Sequence, residues 1–166
     1  MDDGNPLALV TGASSGIGLE LAREFVEHGH DVVVAAEDAG IERVPAQLEG
    51  SGPGTVTPVQ VDLATRHGVQ LLLERVRAMP APVEAAAINA GIGVAGPFVE
   101  TDVEAHLQLI ELNVTGAVQL AHGLMKDMVA RGSGAVLFTS SIAATMPGPW
   151  EATYNASKSF LLSFAE

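Results

Sequence analysis

The sequence predicts an α/β fold in which helices cover both faces of one doubly wound parallel sheet. Short apolar runs alternate with stretches of helical periodicity along the whole chain, which is the pattern of a parallel sheet. Right-handed crossovers between five such runs give the strand order 3-2-1-4-5. The third run contains Pro58, which cannot donate to a strand ladder, and the order places that strand at an edge.

Each element follows from a local pattern in the sequence. Apolar or β-branched runs predict strands at residues 7–10, 31–36, 55–61, 83–88 and 135–139. Helical spacing predicts a helix directly after the glycines at 12–18, and further helices at 39–48, 64–78 and 102–130. A last helix begins near Trp150 and continues to Glu166. The whole of 1–166 is therefore read as a single domain.

Composition limits the classes of function. The chain carries 8 Lys and Arg against 20 Asp and Glu, a formal charge of −12, which disfavours nucleic acids and anionic membranes as partners. The absence of cysteine excludes thiol catalysis and zinc–thiolate sites, and the five scattered histidines predict no metal site. The start, MDDGNP, has no signal-peptide pattern, so the expected location is the cytoplasm.

The stretch from Leu7 to Phe25 reads as strand, tight glycine turn and helix. Glycine allows positive φ and close approach of the backbone to a ligand, and a helix start directs free N–H groups at an anion. Gly18 also removes a side chain where helix and strand must nearly touch. The turn therefore predicts a phosphate site, with a purely structural turn as the alternative.

Polar residues or glycines follow the predicted strands, and in an open α/β sheet these carboxyl ends face one groove near the switch point.

Tyr154 and Lys158 lie four residues apart at the start of the last helix, on one face of that helix. The lysine charge would favour tyrosinate, so that the phenol could exchange a proton with an alcohol or carbonyl. The alternative is an ordinary exposed helix face. Ser141, at the end of the fifth strand, could hydrogen-bond the same substrate oxygen.

The motifs together resemble the short-chain dehydrogenase/reductase family, which implies a Rossmann-like fold. They are T-G-x-x-x-G-I-G at 11–18, Asp62, N-A-G at 89–91, N-V at 113–114, Ser141 and Y-x-x-x-K at 154–158. The resemblance covers essentially the whole chain. It implies hydride transfer between NAD or NADP and a small secondary alcohol or ketone, with a homo-oligomer as a possible assembly.

The resemblance also implies roles for individual residues. Tyr154 would be the general acid/base, Lys158 would tune it and bind the nicotinamide ribose, and Ser141 would orient the substrate oxygen, with Ser140 as an alternative. Asn113 would hold a water of the proton relay, although a local backbone bond or an exposed position explains it equally. The implied cofactor-binding residues are Thr11, Gly12, Ser14, Ser15, Gly16, Ile17, Gly18, Glu37, Asp62, Leu63, Asn89, Ala90, Gly91, Tyr154 and Lys158.

Two points depart from the family pattern. Ala36 stands where an acid commonly binds the ribose of NAD, and Glu37 stands where NADP-using members place a basic residue. Because a carboxylate repels a 2′-phosphate, NAD is favoured, although Glu37 could face solvent and Arg43 could approach. The family domain also continues past the Tyr–Lys helix through further strands, so we expect the C-terminal part of that domain to be missing here.

Two rival functions remain open. The first is a nucleotide-binding module without turnover, because a shortened domain would leave the pocket unclosed. The second is a nucleotide-sugar epimerase of the extended branch, whose glycine spacing usually differs from that at 12–18.

Overall fold

A computed structural model describes residues 4–166, and the acidic start at residues 1–3 lies outside the described part. Its centre is a five-stranded sheet in the order β3-β2-β1-β4-β5, with every pairing parallel. The strands are β1 Leu7–Thr11, β2 Asp31–Ala36, β3 Val56–Gln60, β4 Val83–Ile88 and β5 Ala135–Phe138. The predicted order is confirmed.

Helices connect the strands and cover both faces. They are α1 Gly16–Glu27, α2 Val44–Gln47, α3 Arg66–Arg77, α4 Val103–Ile110, α5 Ala117–Arg131 and α6 Ala152–Ala165. The helix predicted at 39–48 is instead a 3₁₀ turn, Ala39–Arg43, followed by the four-residue α2. Asp38 starts that turn, because its side chain accepts a hydrogen bond from the Gly40 amide.

The long helix predicted at 102–130 is interrupted. A π-helical segment, Glu111–Gly116, lies between α4 and α5. At its end, a Cβ on Gly116 would collide with the carbonyl oxygen of Leu63, so the segment packs directly on the chain that follows β3. Single π-helical turns occur mostly where a helix must reposition a side chain, often at functional sites.

Two apolar layers hold the helices to the sheet. On one face Leu7, Leu9 and Val33 pack in a cluster with residues of α3 and α5. On the other, Ala8 and Val10 pack with α1 and the 3₁₀ turn. Because successive strand residues point to opposite faces, runs that are apolar at every position are buried on both sides.

The two edges of the sheet differ. One edge is β3, in which Pro58 lies in register with Val34 of β2, and the proline predicted this edge position. At the other edge Leu137 of β5 is exposed. Across residues 4–166, no helix has the length and apolar character that crossing a bilayer would require.

Candidate active site

The turn between β1 and α1 lies at the carboxyl edge of the sheet, where open α/β sheets bind ligands in a groove. Gly12 and Gly16 have φ values of 64° and 56°, a left-handed conformation that suits glycine. A Cβ on Gly12 would lie 2.8 Å from the Cα of Ala90. Ser15 occupies the N-cap of α1 without a side-chain capping bond, and the first turn contains no acidic residue. The helix start is therefore suited to an anion.

Gly18 has the packing role that its position predicts. A Cβ there would collide with the carbonyl oxygen of Gly12 and lie 2.7 Å from Nδ2 of Asn89. Any larger residue would push α1 away from the end of β1. The turn can therefore bring its amides close to a ligand only while residue 18 is glycine.

Thr11, one of the predicted cofactor-binding residues, has a buried side chain that makes structural hydrogen bonds, so its predicted contact with a cofactor would have to use its main chain. The Thr11 hydroxyl accepts hydrogen bonds from the amides of Asn89 and Ala90 at 3.0 Å each, and it is buried. In return, Nδ2 of Asn89 donates to the carbonyls of Thr11 at 3.0 Å and Gly12 at 3.3 Å. These bonds tie the end of β1 to the end of β4, so both side chains hold the groove in shape.

The acidic residue that turns toward the glycine turn is Asp38, which sequence reasoning missed. Ser14 donates a hydrogen bond of 2.6 Å to the Asp38 carboxylate, and this bond, more than any other contact, lowers the pKa of Asp38. The side chain of Glu37 is exposed, and its carbonyl oxygen accepts a hydrogen bond from Gln60. The sequence signal was present, since Asp38 lies two residues after β2, but two adjacent acids cannot be ranked without the backbone.

At the end of β3, Asp62 and Leu63 differ in what they can offer a ligand. The Asp62 carboxylate accepts a hydrogen bond of 2.8 Å from the Ala64 amide and is half-buried. The Leu63 side chain is buried in the core beneath α3 and α5. The expectation that Leu63 flanks an adenine therefore stays a prediction, and such a contact would use its main chain because the side chain is buried.

Tyr154 and Lys158 lie together on α6, against the loop that follows β4. The Lys158 ammonium lies 5.8 Å from the centre of the Tyr154 ring and donates a 2.9 Å hydrogen bond to the carbonyl of Thr139. A Cβ on Gly91 would lie 3.5 Å from Nζ of Lys158, and one on Gly93 would lie 3.9 Å from the Tyr154 ring. Burial lowers the pKa of Lys158.

The two serines after β5 make different contacts. Ser141 accepts a hydrogen bond of 3.1 Å from the Ala143 amide, as the cap of the 3₁₀ turn Ile142–Ala144. Its hydroxyl hydrogen can still be donated to a ligand. Ser140 donates its hydroxyl to the carbonyl of Lys158 at 3.0 Å and so anchors α6. This difference favours Ser141 as the residue that meets a substrate.

Asn113 is buried in the π-helical segment, which contradicts both an exposed position and a bond to its own helix. Its Oδ1 accepts from the Ile92 amide at 2.9 Å, and its Nδ2 donates to the Ile92 carbonyl at 2.9 Å and to Ser157 at 3.1 Å. Ser157 in turn donates to the carbonyl of Tyr154 at 2.8 Å. The amide therefore connects the loop after β4 to the helix that carries Tyr154, and the predicted role of Asn113 in holding a water stays a prediction.

The structure thus brings the glycine turn, residues 89–91, Tyr154 and Lys158 to one edge of the sheet. Sequence reasoning missed Gly93, Thr139 and Ser157, because nothing in their local patterns marks them. Within residues 4–166, no three His, Asp or Glu side chains are grouped closely enough to hold a metal ion.

The parallel sheet in this order, with a glycine turn after its first strand, defines a Rossmann-like α/β protein. The chain belongs to the short-chain dehydrogenase family, since the family model described as short chain dehydrogenase matches residues 6–166.

Three similar proteins illustrate the relationship. A dehydrogenase/reductase SDR family protein 7-like of Drosophila melanogaster is 36% identical, and the match covers 96% of this chain and 50% of the relative. L-sorbose reductase from Gluconobacter frateurii, complexed with NADPH and L-sorbose, superimposes with a TM-score of 0.89 at 36% identity, covering 99% of this chain and 64% of that one. The bulky-bulky ketone specific alcohol dehydrogenase from Comamonas testosteroni superimposes with a TM-score of 0.89 at 29% identity. That match covers 97% of this chain and 65% of the dehydrogenase chain. This chain therefore spans half to two thirds of the length of these three proteins.

Proposed function

We propose that this protein is an NAD(P)-dependent oxidoreductase that interconverts a secondary alcohol and a ketone. The observation that carries the proposal is the position of Tyr154 and Lys158 on one face of α6, against Gly91 and Gly93 of the groove. A phenol beside a buried ammonium is a suitable proton donor to a carbonyl oxygen. Membership in the short-chain dehydrogenase family agrees with this chemistry.

The groove fits a dinucleotide. The free amides at the start of α1 would hold the pyrophosphate, and the glycines at 12 and 18 let the backbone approach it. Lys158, near Gly91, would donate to ribose hydroxyls. A bound nicotinamide supplies the hydride in reduction and accepts it in oxidation.

The protein residues would handle the proton. In reduction, Tyr154 donates a proton to the carbonyl oxygen as that oxygen gains negative charge, and Ser141 holds the same oxygen by a hydrogen bond. The positive charge of Lys158 favours the tyrosinate that results. Asn113 and Ser157 keep α6 in register with the loop after β4, so they position Tyr154 without touching the reacting atoms.

The first prediction concerns the proton donor. Tyr154→Phe keeps the ring against Gly93 but removes the hydroxyl, so we expect carbonyl reduction to slow by about 10²- to 10⁴-fold. Reduced cofactor should still bind, measured by its fluorescence. The conservative Phe160→Leu, on the same helix but outside the pair, should leave the rate within about twofold. Retained turnover by Tyr154→Phe would exclude Tyr154 as the acid.

We further propose that NAD is preferred to NADP. Asp38 places a carboxylate beside the glycine turn through its bond to Ser14, and that carboxylate would repel a 2′-phosphate. The sorbose reductase of similar structure was crystallised with NADPH, so the two cofactors have to be compared directly.

A nucleotide-binding module without turnover remains the second candidate. It would use the same glycine turn and the same loop after β4 to bind a nucleotide, without a proton transfer at Tyr154. Titration with NADH followed by addition of ketones separates the two functions. Binding without any oxidation of NADH would support the module.

The expected partner is a small-molecule alcohol or ketone. A cytoplasmic location and assembly into a homo-oligomer stay predictions. Gel filtration with light scattering tests the assembly.

A further inference from the structure

Two loops beside Tyr154 present large apolar side chains to solvent. They are residues 91–101, which follow β4, and residues 140–151, which follow β5. The exposed fractions are 62% for Phe98, 74% for Ile142, 69% for Met146 and 64% for Trp150. Both loops leave the carboxyl edge of the sheet, the edge at which ligands of open α/β sheets bind.

The two loops are held to each other and to α6. The Gly96 amide donates a 2.8 Å hydrogen bond to the carbonyl of Trp150, which joins them directly. Nδ2 of Asn155 donates to the carbonyl of Gly148 at 2.9 Å, and Ser159 donates to that of Ala144 at 2.8 Å. The apolar side chains therefore stand on a backbone that is fixed relative to Tyr154.

Trp150 has an unfavourable backbone conformation. Its φ of 68° is the one left-handed value among the non-glycine residues described, and a bulky side chain rarely adopts it. Strain of this kind persists where the surrounding structure imposes it, and it concentrates at ligand-binding sites. Packing contacts of the indole offset little of this backbone strain, because the indole is largely exposed. A contact made only when a ligand is bound would explain the residue.

The charges and hydrogen bonds of the two loops limit the classes of ligand that can bind there. Neither loop contains Lys, Arg or His, and their charged residues are Glu100 and Glu151. The hydroxyl of Thr101 donates to the carbonyl of Pro97, and that of Thr145 donates to the carbonyl of Ile142. An anionic ketone would thus meet only negative charge there, and a polyhydroxylated one would find few free partners.

We propose that these loops form an apolar substrate wall around Trp150, and that the protein prefers neutral ketones carrying a bulky apolar group. The inference rests on the proposed oxidoreductase function and adds the substrate class to it. In the reaction, the ketone carbon gains hydride from NAD(P)H, which is oxidised to NAD(P)⁺, and its oxygen gains the proton of Tyr154. The apolar group would lie against Trp150 and Met146.

The substrate test compares three ketones at equal concentration with the purified protein: propiophenone, acetoacetate and fructose. Oxidation of NADH and NADPH is followed by absorbance. We expect kcat/KM for propiophenone to exceed that for either other ketone by about tenfold or more, an effect of the size that burying a few apolar carbons gives. Turnover that is highest with acetoacetate or fructose would overturn the inference while leaving the oxidoreductase function intact.

The second test uses the strain at residue 150. Trp150→Gly relieves the left-handed conformation, so Tm should rise by a few degrees, while kcat/KM for propiophenone should fall about tenfold, mainly through KM. Trp150→Phe keeps an aromatic wall and should retain most activity. Val129→Ala, an exposed apolar residue on α5, is the matched control and should change neither quantity.

The outcomes separate the two proposals. If Trp150→Gly changes Tm as expected but leaves kcat/KM for propiophenone at the original value, the wall is wrong. If Trp150→Gly lowers Tm, the strain argument is wrong. If the unaltered protein binds NADH and reduces none of the three ketones, the proposed function fails and the substrate inference with it.

Discussion

Asp38 is the residue on which the proposed preference for NAD depends. Its carboxylate accepts from Ser14 and from the Gly40 amide, which hold it beside the glycine turn. The Ser14 bond lowers the pKa of Asp38 below the ordinary value of 3.8, so the charged form persists to lower pH than in a free aspartate.

We predict that Asp38→Asn shifts cofactor preference toward NADPH. Removing one negative charge near a 2′-phosphate should lower the ratio of NADPH to NADH dissociation constants by about tenfold, or about 1.4 kcal/mol. Fluorescence titrations of both cofactors measure that ratio. Glu37→Gln removes the same charge one residue away on an exposed side chain and is the matched control. An equal or larger change of this ratio in Glu37→Gln would show that Glu37, not Asp38, determines the cofactor preference.

Residues whose role comes from a local pattern could be predicted, and residues whose role comes from a distant partner could not. Tyr154 and Lys158 are one helical turn apart, so their shared face follows from sequence spacing. Thr11 meets Asn89 across 78 residues, and the sequence gives no sign of that bond. The side chains of Thr11 and Leu63 are both buried, which their positions near the carboxyl ends of β1 and β3 did not predict.

At the scale of elements, the π-helical segment Glu111–Gly116 is the feature that periodicity did not predict. Its sequence, ELNVTG, continues a helical pattern, and the helix does continue, with a wider turn. The wider turn carries Asn113 to the loop after β4, where its amide satisfies both main-chain groups of Ile92. An interior asparagine in an otherwise regular helix was the available signal, since asparagine is a mediocre helix former.

We predict that Asn113→Ala destabilises the fold by about 2–4 kcal/mol, because two part-buried main-chain groups of Ile92 and the hydroxyl of Ser157 lose their partner. Asn113→Asp should also be destabilising, since a carboxylate can accept from the Ile92 amide but cannot donate to its carbonyl. Chemical denaturation measures both. Asn5→Ala removes a part-buried asparagine bond near the start of β2 and should cost less than about 1 kcal/mol. Similar costs for Asn113→Ala and Asn5→Ala would contradict this role for Asn113.

At the scale of the whole molecule, the charge is strongly unbalanced. The formal charge is −12, and among residues 4–166 the lysines and arginines form two ion pairs, Arg23–Glu20 and Arg77–Asp127. Both pairs are exposed, so each contributes little to stability. Most of the carboxylates therefore repel one another across the surface of the folded state.

Salt should accordingly stabilise the protein. Raising NaCl from about 10 mM to about 150 mM shortens the Debye length from about 30 Å to about 8 Å, so we expect Tm to rise by a few degrees. A thermal melt at constant pH measures this. The rise should level off above about 200 mM, where the screening length is already shorter than about 8 Å and distant charges no longer interact. A Tm that is flat at low salt would show that the acidic residues are too far apart to interact.

By itself, the sequence determined the strand order, the glycine turn after β1 and the shared face of Tyr154 and Lys158. It could do so because apolar runs, crossover handedness, proline and helical spacing are local or nearly universal constraints. Only the tertiary structure decided that Asp38 faces the turn, that Thr11 and Asn89 join two strands, and that Asn113 supports the helix of Tyr154. Those roles depend on hydrogen bonds between residues far apart in the chain, and such partners are chosen only when the core closes.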